Sequence, residues 1–338
     1  RILGLKSVAI LPEGMSKERF AWLEKWVEDK NDIIKTTGTE SNVKEIYDAC
    51  NELAKDPNNE IINQFSEYYN YAIHRAVTGP SLERSFIKVK GDSNLKARFY
   101  VSASGSSGTL AAGDYLKERL LSKIAVVEAT ECPTLLYGGY GEHNIQGIGD
   151  KHVPLIHNVM NTDFVVGISD QATNYLNLIF NTEIGQKYLI EKKGLEDKLV
   201  KRFPEFGFSS IANILASIKL AKYMNLGSDD AILTVATDGA DLYSTELEKI
   251  KKDFVGSYDT TACAEIYGQY FQGTTTDHML ELSQRDKERI FNLGYYTWVE
   301  QQGVDLSHFE ARRNQDFWDQ HLQNMLDLDE EIDKFNSL

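Results

Sequence analysis

Short apolar runs alternate with amphipathic stretches over the first two-thirds of the chain. Lys6-Ser7-Val8-Ala9-Ile10-Leu11, stopped by Pro12, predicts a buried strand. Ser16 is placed to cap a helix with Phe20, Leu23 and Val27 on one face. Ile33-Ile34 opens a second strand, and Asn42 stands where a cap would precede a helix carrying Val43, Ile46, Tyr47, Cys50 and Leu53. A third strand is read over residues 60–65. After an irregular patch around Gly91-Asp92-Ser93, the pattern predicts strands over 97–102, 123–128, 162–168 and 231–236, with helices over 109–121 and 210–223. Strands separated by amphipathic helices indicate an α/β protein whose parallel sheet is covered on both faces. From about residue 247 the texture turns to charged and aromatic helical stretches, 277–292 and 314–335. Their stripes, Leu322, Met325 and Leu326 among them, read as faces packed on the same chain or on a second subunit, the first being favoured.

Charge narrows the partners. The 338 residues hold 36 basic and 51 acidic side chains, a formal net charge of −15, with no Lys/Arg cluster, so a nucleic-acid partner is not expected. No apolar run is long enough to span a membrane, and none is expected as a partner. Cys50, Cys132 and Cys263 are scattered without a CxxC pair, which argues against a disulfide framework and for a cytoplasmic home. The seven histidines lack ligand spacing, so no metal site is expected. No GxSxG elbow supports a serine hydrolase. Arg1 runs straight into Ile2-Leu3-Gly4-Leu5 like an element already under way, so the natural N-terminus is expected to lie upstream.

The strongest local signal is Ser102-Ala103-Ser104-Gly105-Ser106-Ser107-Gly108-Thr109-Leu110, between a predicted strand and a predicted helix. Small residues let backbone N–H groups approach an anion, and a helix N-terminus adds donors and partial positive charge. Ser106, Ser107 and Thr109 add hydroxyl donors. The alternative is a tight turn that needs glycine and binds nothing; placement at the carboxyl end of a parallel strand favours a ligand.

This loop resembles the GTGGTLTG phosphate loop of the cysteine synthase and cystathionine β-synthase family, which belongs to the fold type II pyridoxal-phosphate enzymes. Further matches follow in the family's order. Pro12-Glu13-Gly14-Met15-Ser16 resembles its PETMS turn. Gln64-Phe65-Ser66, His74 and Thr78-Gly79-Pro80 resemble its QFSNPAN…H…TTGPE stretch. Val127-Glu128 is similar to VEP, Asn144-Ile145-Gln146-Gly147-Ile148-Gly149 to KIQGIG, and Gly207-Phe208-Ser209-Ser210 to GISSG; Asp238-Gly239 sits where the family has PSSGERY. The resemblance covers residues 1 to about 246.

The resemblance implies two parallel-sheet α/β domains: residues 1–75 as an incomplete smaller domain, 76–246 as the larger cofactor-binding domain, and 247–338 as a helical C-terminal extension. It implies pyridoxal 5′-phosphate as cofactor, held at its phosphate by Gly105, Ser106, Ser107, Gly108 and Thr109, with the Ser209 hydroxyl at the pyridine nitrogen. Gln64 falls where the family helps bind the substrate carboxylate, and Gly147 lies in the loop that moves on closure. The partners implied are a small amino-acid substrate and a second copy in a homodimer. The implied activity is β-replacement or β-elimination on a β-substituted L-amino acid. A serine/threonine dehydratase of the same fold and a catalytically silent binding subunit are the alternatives.

The sequence also departs from the family. The Schiff-base lysine and the SGNTG substrate loop belong before Arg1, so the catalytic residue is not assigned within this chain. Ser107 replaces a glycine, Glu67-Tyr68-Tyr69-Asn70 replaces NPAN, Asp150-Lys151-His152 replaces the aromatic part of GAGF, and Ile211 replaces the glycine after the serine pair. These changes leave the substrate open.

Overall fold

A computed structural model describes residues 4–254, 256 and 258–337. The body is a five-stranded sheet in the order β6-β3-β4-β5-β7, from β3 (Lys96–Ala103), β4 (Lys123–Ala129), β5 (Phe164–Ile168), β6 (Asp230–Thr234) and β7 (Met279–Glu281). The first four are mutually parallel; β7 runs antiparallel on the β5 edge. All of β5, and β4 after Lys123, are buried, as strands covered on both faces must be. One core layer packs Val101, Val127 and Val166 against Ile211, Leu215 and Ala216 of the helix Phe208–Tyr223. The layer on the opposite face sets Ile124, Val126 and Val165 against Ile290, Phe291 and Trp298.

A second, two-stranded parallel sheet pairs β1 (Ala9–Pro12) with β2 (Ile33–Thr36), Ala9 opposite Ile33 and Pro12 opposite Thr36. Two strands hold little free energy of their own. Long-range contacts seat them: the Ser16 amide donates to Gln146 Oε1 at 3.1 Å, and Glu18 accepts from the backbone and hydroxyl of Thr245 at 2.9 and 2.7 Å.

Three expectations need correction. Residues 60–65, read from the sequence as a third strand, form none. The Asn63 side chain accepts from the Phe65 amide at 3.0 Å, and the Phe65 carbonyl receives the Leu155 amide at 2.9 Å, so local side-chain bonding spends the groups a ladder would need. The helix expected over 277–292 is a strand followed by the helix Gln284–Tyr295. The exposed edge of β5 recruits β7, and Ser283 with Asp286 forms a capping box that starts the helix late. Asn42 is not a cap; its side chain accepts from the Thr39 amide at 3.1 Å, and the helix Lys44–Leu53 begins after Val43. The C-terminal stretch is the helix Gln315–Asn336, close to the expected span.

At the carboxyl end of β4, Glu128 is buried and accepts from the amides of Leu135 and Leu136 at 2.9 and 2.8 Å. It thereby closes the turn that carries the chain back over the sheet. Burial outweighs these bonds and lifts its carboxyl to about 7. The folded protein therefore holds a proton that the unfolded chain has released once pH exceeds about 4.3. Stability contributed by this group is full below that value and declines as pH rises towards 7, by up to about 3 kcal/mol at 1.36 kcal/mol per pKa unit. Urea unfolding of the parent and Glu128→Gln at pH 5 and pH 7 checks this. The parent's loss across the interval is expected to exceed the variant's by on the order of 1–3 kcal/mol; equal losses would exclude it.

Candidate active site

Chain segments far apart in sequence meet at the carboxyl ends of β3 and β6 around a cavity of about 360 Å³. Gly105, Ser106, Ser107 and Thr109 line it; Gly108 lies buried beneath them. The turn departs from β3 with the Ser104 amide on the Val127 carbonyl at 3.1 Å, a continuation of the parallel ladder. Ser107 then takes a left-handed conformation (φ 71°), strained for a residue with a Cβ, where the family loop has glycine. Its hydroxyl lies 3.0 Å from Ser104 Oγ, and its carbonyl accepts the Leu110 amide at 3.1 Å. Ser102 and Thr109 hydroxyls pair at 2.9 Å across the base of the turn.

Two glycines make room. A Cβ on Gly105 would lie 2.8 Å from the Gly147 carbonyl oxygen, and one on Gly108 only 2.3 Å from Asn70 Oδ1. Asn70, in the stretch that replaces NPAN, donates to Ser106 Oγ at 3.1 Å and to the Gln64 carbonyl at 2.9 Å. It ties the turn to the segment bearing Gln64, whose side chain is exposed and lines the same cavity.

Ser209 opens on this cavity too, from the first turn of Phe208–Tyr223, with its hydroxyl 3.0 Å from Thr237 Oγ1. Asn213, one turn on, accepts the Ala103 amide at 2.7 Å and donates to the Val235 carbonyl at 3.0 Å, clamping this helix to the ends of β3 and β6. Gly147 (φ 90°) donates its amide to Glu40 at 3.1 Å, and the preceding Gln146 is buried with its side-chain nitrogen unpaired among the described residues. The structure thus gathers Gln64, Gly105, Ser106, Ser107, Thr109, Gly147 and Ser209 around one space, with Gly108 supporting them from below.

Sequence reasoning missed several residues of this cavity. Arg19 bonds Asp238 at 2.6 Å and the Tyr243 hydroxyl at 2.7 Å, pinning the β1–β2 unit to the loop after β6. Its partner lies 219 positions away, beyond any local pattern. Asp150 had been noted only as a departure from GAGF. It is 8 % exposed, and its Oδ2 has no hydrogen-bond partner among the described residues. Burial, aided by Glu40, holds its carboxyl well above the usual carboxylate range. Burial also raises Glu40, against the opposing pull of Arg19 and the Gly147 amide.

The cavity suits pyridoxal phosphate on these observations. It has a turn of small residues where added Cβ atoms would clash, a hydroxyl set on a helix N-terminus, and a buried unpaired amide nitrogen on Gln146. No lysine lines it.

No model of a known protein family matches the chain. Individual relatives do. Cysteine synthase B of Campylobacter jejuni is 31 % identical over 249 residues, covering 72 % of each chain. A probable cysteine synthase of Bacillus subtilis is 29 % identical over 72 % of this chain and 71 % of its own. Among solved structures, a hydrogen sulfide-producing enzyme of Fusobacterium nucleatum superposes with a TM-score of 0.57 at 26 % identity, over 77 % of this chain and 71 % of that one. An O-acetylserine dependent cystathionine β-synthase from Helicobacter pylori gives 0.55 at 26 %, over 71 % and 69 %. With the phosphate turn, the Ser209 helix and the extent of the first match all agreeing, the chain belongs to the cysteine synthase family of fold type II pyridoxal-phosphate enzymes.

Proposed function

We propose that this chain carries the cofactor-binding body of an enzyme that performs β-replacement or β-elimination on a β-substituted L-amino acid. One observation carries the reading: Gly105, Ser106, Ser107, Thr109 and Ser209 line a single cavity. Pyridoxal phosphate, when bound, would supply an electron sink that stabilises negative charge left at the substrate's α-carbon once its proton is removed, the charge that expels a β-substituent with its bonding pair.

The chain's own residues then have separable roles. Gly105, Ser106, Ser107, Gly108 and Thr109 hold the phosphate through amides and hydroxyls. Ser209, steadied by Thr237, meets the ring nitrogen with a neutral group and so does not force it to take a proton. Gln64 binds the substrate's carboxylate. The Gly147 loop, resting on Gly105, narrows access to the cavity. Arg19 positions the β1–β2 unit through Asp238. Asp150, whose carboxyl is held above the usual carboxylate range by burial, lines the cavity and is available to a polar group of the substrate. The family resemblance matches none of this chain's lysines to the amine that carries the cofactor. The same resemblance supports a homodimer, and the scattered cysteines support a cytoplasmic home.

Purified in its full natural length with excess cofactor, the protein is expected to show the absorption band of bound pyridoxal phosphate. It is also expected to release acetate from O-acetylserine or sulfide from cysteine. No band would sink the proposal. Oxo acid and ammonia from serine or threonine alone would assign it instead to the dehydratases.

Gly108→Ala is expected to weaken cofactor binding at least tenfold in an absorbance titration, because the new methyl displaces Asn70 from under the turn. Ser209→Ala removes one hydrogen bond of on the order of 1 kcal/mol. It is expected to weaken cofactor binding by no more than about tenfold while shifting the bound cofactor's absorption; an unchanged spectrum would remove Ser209 from the ring.

A further inference from the structure

The helix Gln315–Asn336 is anchored at one end only. Trp318 is buried and donates from Nε1 to the Arg312 carbonyl at 2.9 Å. Asp319 pairs with Arg75 at 2.6 Å, and His321 stacks on Tyr68 with ring centroids 4.0 Å apart. Beyond that point, hydrogen bonds and ion pairs among the described residues run within the helix, as between Gln323 and Asp327 and between Lys334 and Glu330. Leu326, Leu328, Ile332 and Phe335 are exposed, Phe335 to 75 %.

The apolar positions are periodic. Trp318, Met325 and Ile332 recur every seventh residue, and so do His321, Leu328 and Phe335. Two such rows make the seam by which one helix packs along another. Here the seam starts on the body and runs off it for roughly 20 Å, at 1.5 Å per residue. A projecting helix of this length is marginal in water without a covered face.

Charge selects the occupant. Residues 315–337 hold seven acidic side chains and one basic, Lys334, and Asp329 and Glu331 flank the seam. A second copy laid along it would set acid against acid, which disfavours pairing. An anionic membrane or a nucleic acid would be repelled for the same reason. We propose that this seam docks a basic amphipathic helix of another protein, its apolar row covering Met325, Leu328, Ile332 and Phe335 and its Lys or Arg residues meeting Asp329 and Glu331. The proposal is independent of the catalytic reading.

Fluorescence anisotropy with the full chain tests it, using a labelled three-heptad helical peptide with Leu and Ile on the seam and Lys beside it. A matched peptide carries Glu in place of Lys. The Lys peptide is expected to bind at least tenfold more tightly than the Glu peptide. Its affinity is expected to fall about tenfold in roughly 1 M salt, where charges are screened within about 3 Å. Leu328→Ser combined with Ile332→Ser alters only exposed side chains and is expected to weaken binding at least tenfold with circular dichroism of the body unchanged. Equal binding of the two peptides, or indifference to the double substitution, would overturn the proposal. So would sedimentation showing self-association that the double substitution abolishes, or binding of the chain to phosphatidylglycerol vesicles.

Discussion

The spacing between the phosphate turn and the Ser209 hydroxyl rests on one amide side chain. Asn213 bridges the Ala103 amide and the Val235 carbonyl, the two backbone groups released where β3 and β6 end. Each would cost about 1–3 kcal/mol if left buried and unpaired. Satisfying both from one side chain also sets the roll of the helix Phe208–Tyr223. Ser209, one turn earlier, is thereby aimed into the same space as the turn that leaves β3. A parallel sheet needs such a device, because its strands end in register while the loops beyond them share no ladder.

Close backbone approach supplies the second constraint. The Gly147 carbonyl rests against Gly105 where no Cβ would fit, so the loop 144–149 and the phosphate turn meet as bare backbone. The Gly149 amide reinforces this by donating to the Ser104 carbonyl at 2.7 Å, and Ser16 reaches Gln146 from the β1–β2 unit. Three segments, the outer two 130 positions apart, thus define one wall.

Electrostatics gives the wall its character. Arg19 is neutralised by Asp238 and held by Tyr243, so this cation serves mainly to join two parts of the chain. The turn itself carries no basic side chain and depends on amide and hydroxyl donors. Burial pushes Glu40 and Asp150 above the usual carboxylate range, against the pull of Arg19 and the Gly147 amide at Glu40. At the C-terminal helix, by contrast, acidic groups are exposed beside an apolar seam.

Much of the architecture was legible in the order of residues. Apolar runs at β3, β4 and β5 announce buried parallel strands because both faces must be covered, and the Ser/Gly turn after β3 announces amide and hydroxyl donors because its small residues let an anion approach closely. These are local properties, decided within ten residues. Tertiary structure decided the rest. Residues 60–65 read as a short strand in the sequence, yet Asn63 captures the Phe65 amide and the Phe65 carbonyl is taken by Leu155. Residues 279–281 became strand because the β5 edge had unpaired groups to satisfy. Arg19 and Asp150 belong to the cavity through partners 219 positions away in one case and through burial in the other. Neither cause is written near the residue it governs: a long-range ion pair and a desolvated carboxyl exist only once the chain has closed on itself.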